Sequence, residues 1–211
     1  MLSVAVVDYD CGNMFSIIRA LEGFSVKTSI THDPEVIIRA DKLILPGVGA
    51  YGEGMRKLRE RGLSEAVKDF AKSGKPLLGI CLGMQLLVNS SEEFGFNEGL
   101  GLISGETVAL KPKGNEKIPH VGWNSLWAPA SHSSEFWRSS LLNDFSEGKD
   151  VYFIHSFIVK TNNSKDCLAV TRYAGVEFAS AIKKDNITGC QFHPEKSGRN
   201  GVKMVENFVV N

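Results

Sequence analysis

The chain has 211 residues, of which 43% are hydrophobic and 23% are charged, and this composition is typical of a globular domain with a sizeable core. Its 24 basic residues balance 24 acidic ones, so overall charge gives no attraction to nucleic acid, and no apolar stretch is long enough to span a membrane. The four cysteines are too widely spaced for a metal-type pair or a disulfide framework, and the N-terminus lacks the features of a signal peptide. We therefore expect a cytoplasmic protein with reduced thiols that binds no nucleic acid, membrane, metal or cofactor.

The N-terminal part of the chain alternates between strand and helix patterns. Residues 3–8 form a β-branched run, as in a strand covered on both faces, and residues 14–21 have apolar positions at helical spacing. Asp33-Pro34 is typical of a helix start. Further strands are predicted over residues 25–30, 42–45 and 77–80, with helical patterns through residue 71. This alternation predicts a mostly parallel sheet flanked by helices, whose loops after the strands share one edge.

After about residue 100, the pattern changes to strands joined by short polar turns, which favour antiparallel pairing. Strands are predicted over residues 101–110, 151–160, 167–173, 178–183 and 187–192, and a closing helix over residues 197–210. Residues 128–149 are rich in Ser, Glu and Trp, and we predict no element there. Because we find no repeat, low-complexity tract or linker, we expect residues 1–211 to form a single domain.

The segment Gly79-Ile80-Cys81-Leu82-Gly83 joins a predicted strand directly to a predicted helix. This is the G-x-nucleophile-x-G pattern, with cysteine as the nucleophile. Glycine is needed on both sides because a side chain would collide with neighbouring backbone, and the helix N-terminus favours a thiolate. On its own, the motif is equally compatible with a buried structural cysteine.

Two further motifs favour the nucleophile. In His193-Pro194-Glu195, an imidazole could accept and return a proton while a carboxylate holds its tautomer, and Pro194 should keep this segment extended. Pro46-Gly47-Val48-Gly49 follows a predicted strand and could direct a backbone N–H at a developing oxyanion, although alone it would be an ordinary loop. The N–H of Leu82, directly after the nucleophile, is the expected second donor.

In this order, the three motifs resemble the signatures of class I glutamine amidotransferases. Residues 119–124, residues 152–156 and the Asp8-Tyr9 and Gly12-Asn13 pairs are similar to the glutaminase subunits of imidazole glycerol phosphate synthases, and the resemblance covers nearly the whole chain. It implies a flavodoxin-like α/β fold with an antiparallel β part in the C-terminal half. It also implies L-glutamine as the substrate and a separate (β/α)8-barrel cyclase as the heterodimer partner that receives the ammonia.

The resemblance further implies roles for individual residues. Cys81, His193 and Glu195 would be the catalytic triad, and the N–H groups of Val48 and Leu82 would hold the oxyanion. The glutamyl part of the substrate would contact Gly49, Gln85, Glu93, His155 and Ser156. The partner would contact Asn13, His120, Trp123, Asn124 and Lys196. Because Gly122 and Asn124 flank Trp123, we expect a loop there, and we expect a backbone rearrangement at Gly47-Val48 to switch activity on when the partner is loaded.

Two positions depart from the pattern of this family. Asp10, followed by Cys11, stands where glycine is usual, and Phe157 stands where tyrosine is usual. These departures leave open a paralogous glutaminase that supplies another acceptor, such as an amino sugar for a surface polysaccharide. A free-standing γ-glutamyl thiol hydrolase and an inactive binding module are further alternatives, and the presence of all three triad residues argues against the inactive module.

Overall fold

The computed structural model describes residues 1–130 and 133–210, and its strands form one large mixed sheet and one two-stranded sheet. In chain order, the strands are β1 (Ser3–Val7), β2 (Lys27–Thr31), β3 (Lys42–Leu45), β4 (Leu77–Ile80), β5 (Ser90–Ser91), β6 (Asn97–Glu98), β7 (Gly105–Ala109), β8 (His120–Ser125), β9 (Asp150–His155), β10 (Phe157–Thr161), β11 (Cys167–Tyr173), β12 (Val176–Lys184) and β13 (Ile187–Cys190). The large sheet has the order β2-β1-β3-β4-β13-β12-β10-β7-β5-β6, and β11 pairs with β12. Its first five strands are parallel, and β12, β10 and β7 continue it in antiparallel pairs. The predicted α/β sheet with an antiparallel C-terminal part is therefore confirmed.

Helices cover both faces of the parallel strands. They are α1 (Met14–Leu21), α2 (Pro34–Arg39), α3 (Tyr51–Glu60), α4 (Leu63–Lys72), α5 (Leu82–Leu86) and α6 (Gly198–Val210). One core layer contains Ile37 of α2 and Phe70 of α4, and the other contains Ile17 of α1 and Phe208 of α6. The predicted start of α2 is confirmed, because the Asp33 side chain accepts the Glu35 N–H at 2.9 Å.

The predicted strand over residues 151–160 is wrong as a single element. The chain changes sheet at Ser156: β9 pairs with β8 in the small sheet, whereas β10 pairs with β7 in the large one. The β-forming side chains run through this change with no Gly or Pro to mark it.

The loop predicted around Trp123 is also wrong. It is strand β8, whose six residues all pair with β9, and Gly122 accommodates a φ of +133° within it. The observed ends of several other strands differ from the predicted ends by a few residues. The strand predicted over residues 101–110 begins only at Gly105, because residues 101–104 are irregular and Gly101 has a φ of +66°.

Over residues 128–149, where no element is predicted, the described residues contain a 3-10 turn, Ser134–Trp137. Its Trp137 is buried in the second core layer and donates its indole N–H to the Leu168 carbonyl at 2.7 Å. Across residues 1–130 and 133–210, no helix has the length and apolar character needed to cross a membrane.

Candidate active site

Cys81 lies between β4 and α5 with φ +54° and ψ −109°, a conformation that residues other than glycine rarely adopt. The two flanking glycines allow the strand and helix to pack backbone to backbone. A Cβ on Gly79 would lie 2.8 Å from the carbonyl of Gly83 and from the nitrogen of Met84, and a Cβ on Gly83 would overlap the Leu45 carbonyl oxygen. The predicted need for glycine at both positions is confirmed.

His193 and Glu195 form a buried pair just after β13. The His193 Nδ1 atom lies 2.7 Å from Glu195 Oε1, and each side chain is only 3% exposed. Because β13 is hydrogen-bonded to β4, it brings this pair to the same sheet edge as Cys81. The expected extended segment is wrong beyond His193, since Pro194–Lys196 forms a 3-10 turn that curls the carboxylate back to the imidazole.

The electrostatics of the site favour a protonated imidazole. Burial lowers the pKa of His193, but the nearby Cys81 sulfur and the Glu195 carboxylate outweigh burial and raise that pKa to about 10. Within the described residues, His193 Nε2 makes no hydrogen bond, so Cys81 acts on this ring electrostatically. The sulfur also lies 3.7 Å from Gln191 Nε2, and no motif in the sequence predicts this contact. A cationic imidazole beside the nucleophile can supply a proton to a departing group.

A cavity of about 350 Å³ opens beside Cys81 and brings most of the predicted site residues together. It is lined by Val48, Gly49, Cys81, Leu82, Gln85, Glu93, Phe94, Ile154, His155, Ser156 and Phe157. All five residues expected to contact a glutamyl group are in this set. Phe94 and Ile154 were not predicted.

Buried polar contacts hold the cavity wall in place. Gln85 Nε2 donates to the Phe157 carbonyl at 3.2 Å and to Gln191 Oε1 at 3.0 Å. Glu93 Oε2 accepts the Tyr51 N–H at the start of α3 at 2.7 Å. Gln85 and Glu93 are therefore buried, partnered groups, not solvent-facing helix and loop residues.

Both predicted oxyanion donors hydrogen-bond to other backbone groups, and both bonds involve the Gly47-Val48 peptide. The Val48 N–H donates to the Cys11 carbonyl at 2.8 Å, and the Leu82 N–H donates to the Gly47 carbonyl at 3.3 Å. The N–H and C=O of the Gly47-Val48 peptide thus make one bond each. A rotation of that peptide would break both bonds and release both donors.

Asp10 anchors the segment that engages Val48. Its φ of +60° is in the left-handed region, where glycine is preferred, and its carboxylate forms an ion pair with Arg61. Lys57 Nζ donates to the Asp10 carbonyl at 3.0 Å. This departure from the family pattern therefore ties the loop that carries Cys11 to α3.

The residues predicted to contact a partner divide into two groups. Asn13, Trp123 and Lys196 are exposed, with Trp123 at 56%, and Asn124 is partly exposed. His120, in contrast, is 2% exposed, so its ring lies beneath this surface.

The model of the family Glutamine amidotransferase class-I matches residues 5–211. The chain belongs to the class I glutamine amidotransferases. Curated relatives of this amidotransferase narrow the family further. The chain is 45% identical over 213 residues to imidazole glycerol phosphate synthase subunit HisH 1 of Legionella pneumophila (strain Lens), with 99% of each chain covered. It is 48% identical over 209 residues to the HisH subunit of Sulfurimonas denitrificans, with 98% of this chain and 97% of the relative covered.

Solved structures of more distant proteins share the fold of this amidotransferase. PurLQS from Thermotoga maritima superimposes with a TM-score of 0.73 at 21% identity, covering 98% of this chain and 97% of that one. A glutamine amidotransferase from the same organism gives a TM-score of 0.60 at 18% identity, over 98% of this chain and 82% of that one. At these identities, the likeness concerns the fold alone.

Proposed function

We propose that this chain is the glutaminase subunit of an imidazole glycerol phosphate synthase and works in the cytoplasm as a heterodimer with a separate (β/α)8-barrel cyclase. It would hydrolyse L-glutamine to glutamate and ammonia and pass the ammonia to the cyclase for histidine and AICAR formation. The observation that carries this proposal is the 45% and 48% identity to relatives of that name over nearly their full length. The arrangement of Cys81, His193 and Glu195 at one edge of the sheet, with Cys81 lining a cavity, supports it.

The proposed mechanism is acyl transfer through a thioester. The Cys81 thiolate would attack the side-chain amide carbon of glutamine, and the tetrahedral intermediate would collapse with transfer of a proton from His193 to the departing ammonia. Neutral His193 would then take a proton from water, whose oxygen attacks the thioester carbon. Collapse of this intermediate would restore the Cys81 thiolate beside protonated His193, and the product would leave as glutamate with its carboxyl proton passing to solvent. Glu195 would orient the imidazole throughout.

The engaged oxyanion donors support an enzyme that is nearly silent without its partner. Rotation of the Gly47-Val48 peptide would turn the Val48 N–H toward the oxyanion and free the Leu82 N–H at the same time. Gly47 is a poor place to test this by substitution, because a Cβ there would lie 2.8 Å from the Leu82 Cβ and overlap the Tyr9 hydroxyl. The anchor at Asp10 offers a test from outside the active site.

A paralogous glutaminase that supplies a different acceptor is the second candidate, and Asp10 and Phe157 are the observations that favour it. Phe157 lines the cavity and carries no hydroxyl there. Such a paralogue would keep the half-reaction and a related barrel partner. A free-standing thiol hydrolase is less favoured, because it would leave the exposed Trp123 surface without a purpose.

Glutamate release from glutamine distinguishes these candidates. It should be measured for the chain alone, with the histidine-pathway cyclase of the same cell, and with that cyclase plus its nucleotide substrate, with Cys81→Ala as the control for background hydrolysis. We expect low release alone and an increase of orders of magnitude in the complete mixture. No response to the cyclase would indicate the paralogue, high activity of the chain alone would indicate the hydrolase, and undiminished activity of Cys81→Ala would indicate that this site is not catalytic.

A further inference from the structure

Two histidines and an asparagine connect the cavity wall to the exposed strand β8. His155 Nδ1 lies 2.9 Å from the Phe157 carbonyl oxygen, and His155 Nε2 lies 3.0 Å from His120 Nδ1. His120 Nε2 in turn lies 3.3 Å from Asn124 Nδ2. We call this chain of contacts, from Asn124 through His120 and His155 to Phe157, the histidine relay.

The groups at its two ends determine the direction of every hydrogen bond in the relay. The Phe157 carbonyl can only accept, so His155 must carry its proton on Nδ1. The Asn124 amide is oriented by two other bonds, since its Oδ1 accepts the Ser125 N–H at 2.8 Å and its Nδ2 donates to the Arg172 carbonyl at 3.0 Å. Its Nδ2 is therefore the donor to His120. Each imidazole must then donate from Nδ1 and accept at Nε2.

The rings are buried, and aromatic packing holds them in this arrangement. His120 is stacked between Phe153 and Tyr173, at centroid distances of 4.8 and 4.0 Å. Burial lowers the pKa of His120 to about 4 and is the largest cause that lowers the pKa of His155 to about 3. Both rings are therefore neutral near pH 7, as a relay with one donor and one acceptor per ring requires.

The inner end of the relay contacts the cavity itself. The Phe157 carbonyl that accepts from His155 also accepts from Gln85 Nε2, and all three residues line the cavity with Cys81. The ring of His155 uses both of its nitrogens in the relay, so it offers no free polar atom to a substrate. We propose that His120 and Asn124, neither of which lines the cavity, are positioning residues that set the glutamine-binding wall through His155 and Phe157. This role rests on the proposed glutaminase function.

Asn124→Asp reverses the relay at its outer end. Because it also removes the Nδ2 bond to the Arg172 carbonyl, the comparison of His120→Asn with His120→Leu separates the relay from that loss. A carboxylate is nearly the shape of the amide but can only accept, so it draws the His120 proton onto Nε2. His120 Nδ1 then becomes an acceptor, the His155 proton moves to Nε2, and the His155 Nδ1 lone pair faces the Phe157 carbonyl. The wall must shift because two acceptors cannot share that contact. If His120 instead gains a second proton, histidine-selective nitrogen NMR detects the resulting charge.

The first measurement is histidine-selective nitrogen NMR of the unmodified full chain, which needs no variant to fold. We expect both relay histidines to be neutral with the proton on Nδ1, the less common form in water. The same spectrum of Asn124→Asp should show a protonated Nε2 on His120. A wild-type spectrum with Nε2–H on either ring would overturn the relay.

The second measurement is glutaminase kinetics of the complex with the cyclase and its ligand. For Asn124→Asp we expect KM for glutamine to rise at least about fivefold while kcat stays within about twofold, as for loss of substrate positioning without loss of chemistry. Asn162→Asp is the matched control, because the exposed Asn162 side chain donates to the Ser104 hydroxyl, which is not part of the relay. His120→Asn keeps a donor where Nδ1 stood and should retain a lower KM than His120→Leu.

The outcomes separate the two proposals. An active wild-type complex in which Asn124→Asp and His120→Leu keep the wild-type KM would overturn the positioning role. A wild-type complex with no glutaminase activity would overturn the proposed function, and the positioning role with it, whatever the tautomers.

Discussion

Gly79→Ala is the substitution whose effect follows most directly from the geometry of the elbow. The added Cβ would lie 2.8 Å from three backbone atoms, the carbonyl carbon and oxygen of Gly83 and the nitrogen of Met84. Carbon contacts are comfortable at about 3.5–4.0 Å, so β4 and the first turn of α5 would have to separate by roughly 0.7 Å or more. Because these three nearest atoms all belong to the backbone, they cannot move aside as the end of a flexible side chain could. Overpacking of this kind costs about 1–3 kcal/mol, which for a chain of 211 residues corresponds to a fall in Tm of roughly 2–12 °C.

The same separation would move Cys81, which joins the two elements. A misplacement near 1 Å can reduce turnover by about 100-fold, so stimulated glutamate release should fall by that order even where the variant is folded. Thermal unfolding and glutamate release should be measured together, with Gly23→Ala as the control, because a Cβ on exposed Gly23 meets no atom within 4 Å. A Gly79→Ala protein with the Tm and turnover of wild type would refute the close-packed elbow.

Three further predictions follow from other parts of the molecule. The pKa of His193, which Cys81 and Glu195 hold near 10 against the effect of burial, exceeds the usual 6.5 of an unfolded histidine. Protonated His193 therefore contributes stability that is complete below about pH 6.5 and is lost as the pH rises through about 10. The urea midpoint of wild type should fall more over this pH range than the midpoint of Glu195→Gln. If the two proteins showed the same dependence of urea midpoint on pH, this prediction would be contradicted. Asp10→Asn removes the partly exposed ion pair with Arg61, which is worth about 1 kcal/mol at most. Glutamate release by the chain alone should therefore rise by up to about fivefold. Unchanged or lower release would show that this anchor does not restrain the Gly47-Val48 peptide. Trp123→Ala should weaken binding of the cyclase by about 30-fold or more, as expected for a central aromatic anchor. The control is Trp127→Ala, which should bind normally although Trp127 is also exposed, at 43%. Equal effects of the two substitutions in a binding titration would place the partner elsewhere.

The sequence was most informative where a local rule determines the structure. The parallel strands, the start of α2 and the glycine pattern around Cys81 were predicted because each depends on near neighbours or on a residue type with one special property. The change of sheet at Ser156 could not be predicted, since both halves of that segment have the same side-chain character and only tertiary pairing separates them.

The histidine relay also could not be predicted without knowing the strand pairing, although the sequence contains one signal for it. Once residues 120–125 are assigned to a strand, His120 and Asn124 must share one face while Trp123 lies on the other. The glycine and asparagine beside Trp123 instead favoured a loop, and the relay was missed. The engagement of Val48 and Leu82 was equally invisible, because no side chain encodes which way a peptide plane faces.

The Gly47-Val48 peptide engages both oxyanion donors, and this sets an upper limit on the increase in turnover that a shift from the closed to the open peptide could give. Two backbone hydrogen bonds at about 0.5–1.5 kcal/mol each favour the closed state by about 1–3 kcal/mol, so roughly one molecule in 5 to one in 150 would be open before any partner binds. Complete conversion to the open state would then raise turnover by that same factor and no more. A stimulation of several thousandfold would require the loaded cyclase to improve the chemistry of molecules that are already open, and comparing the measured stimulation with this ceiling would separate the two contributions.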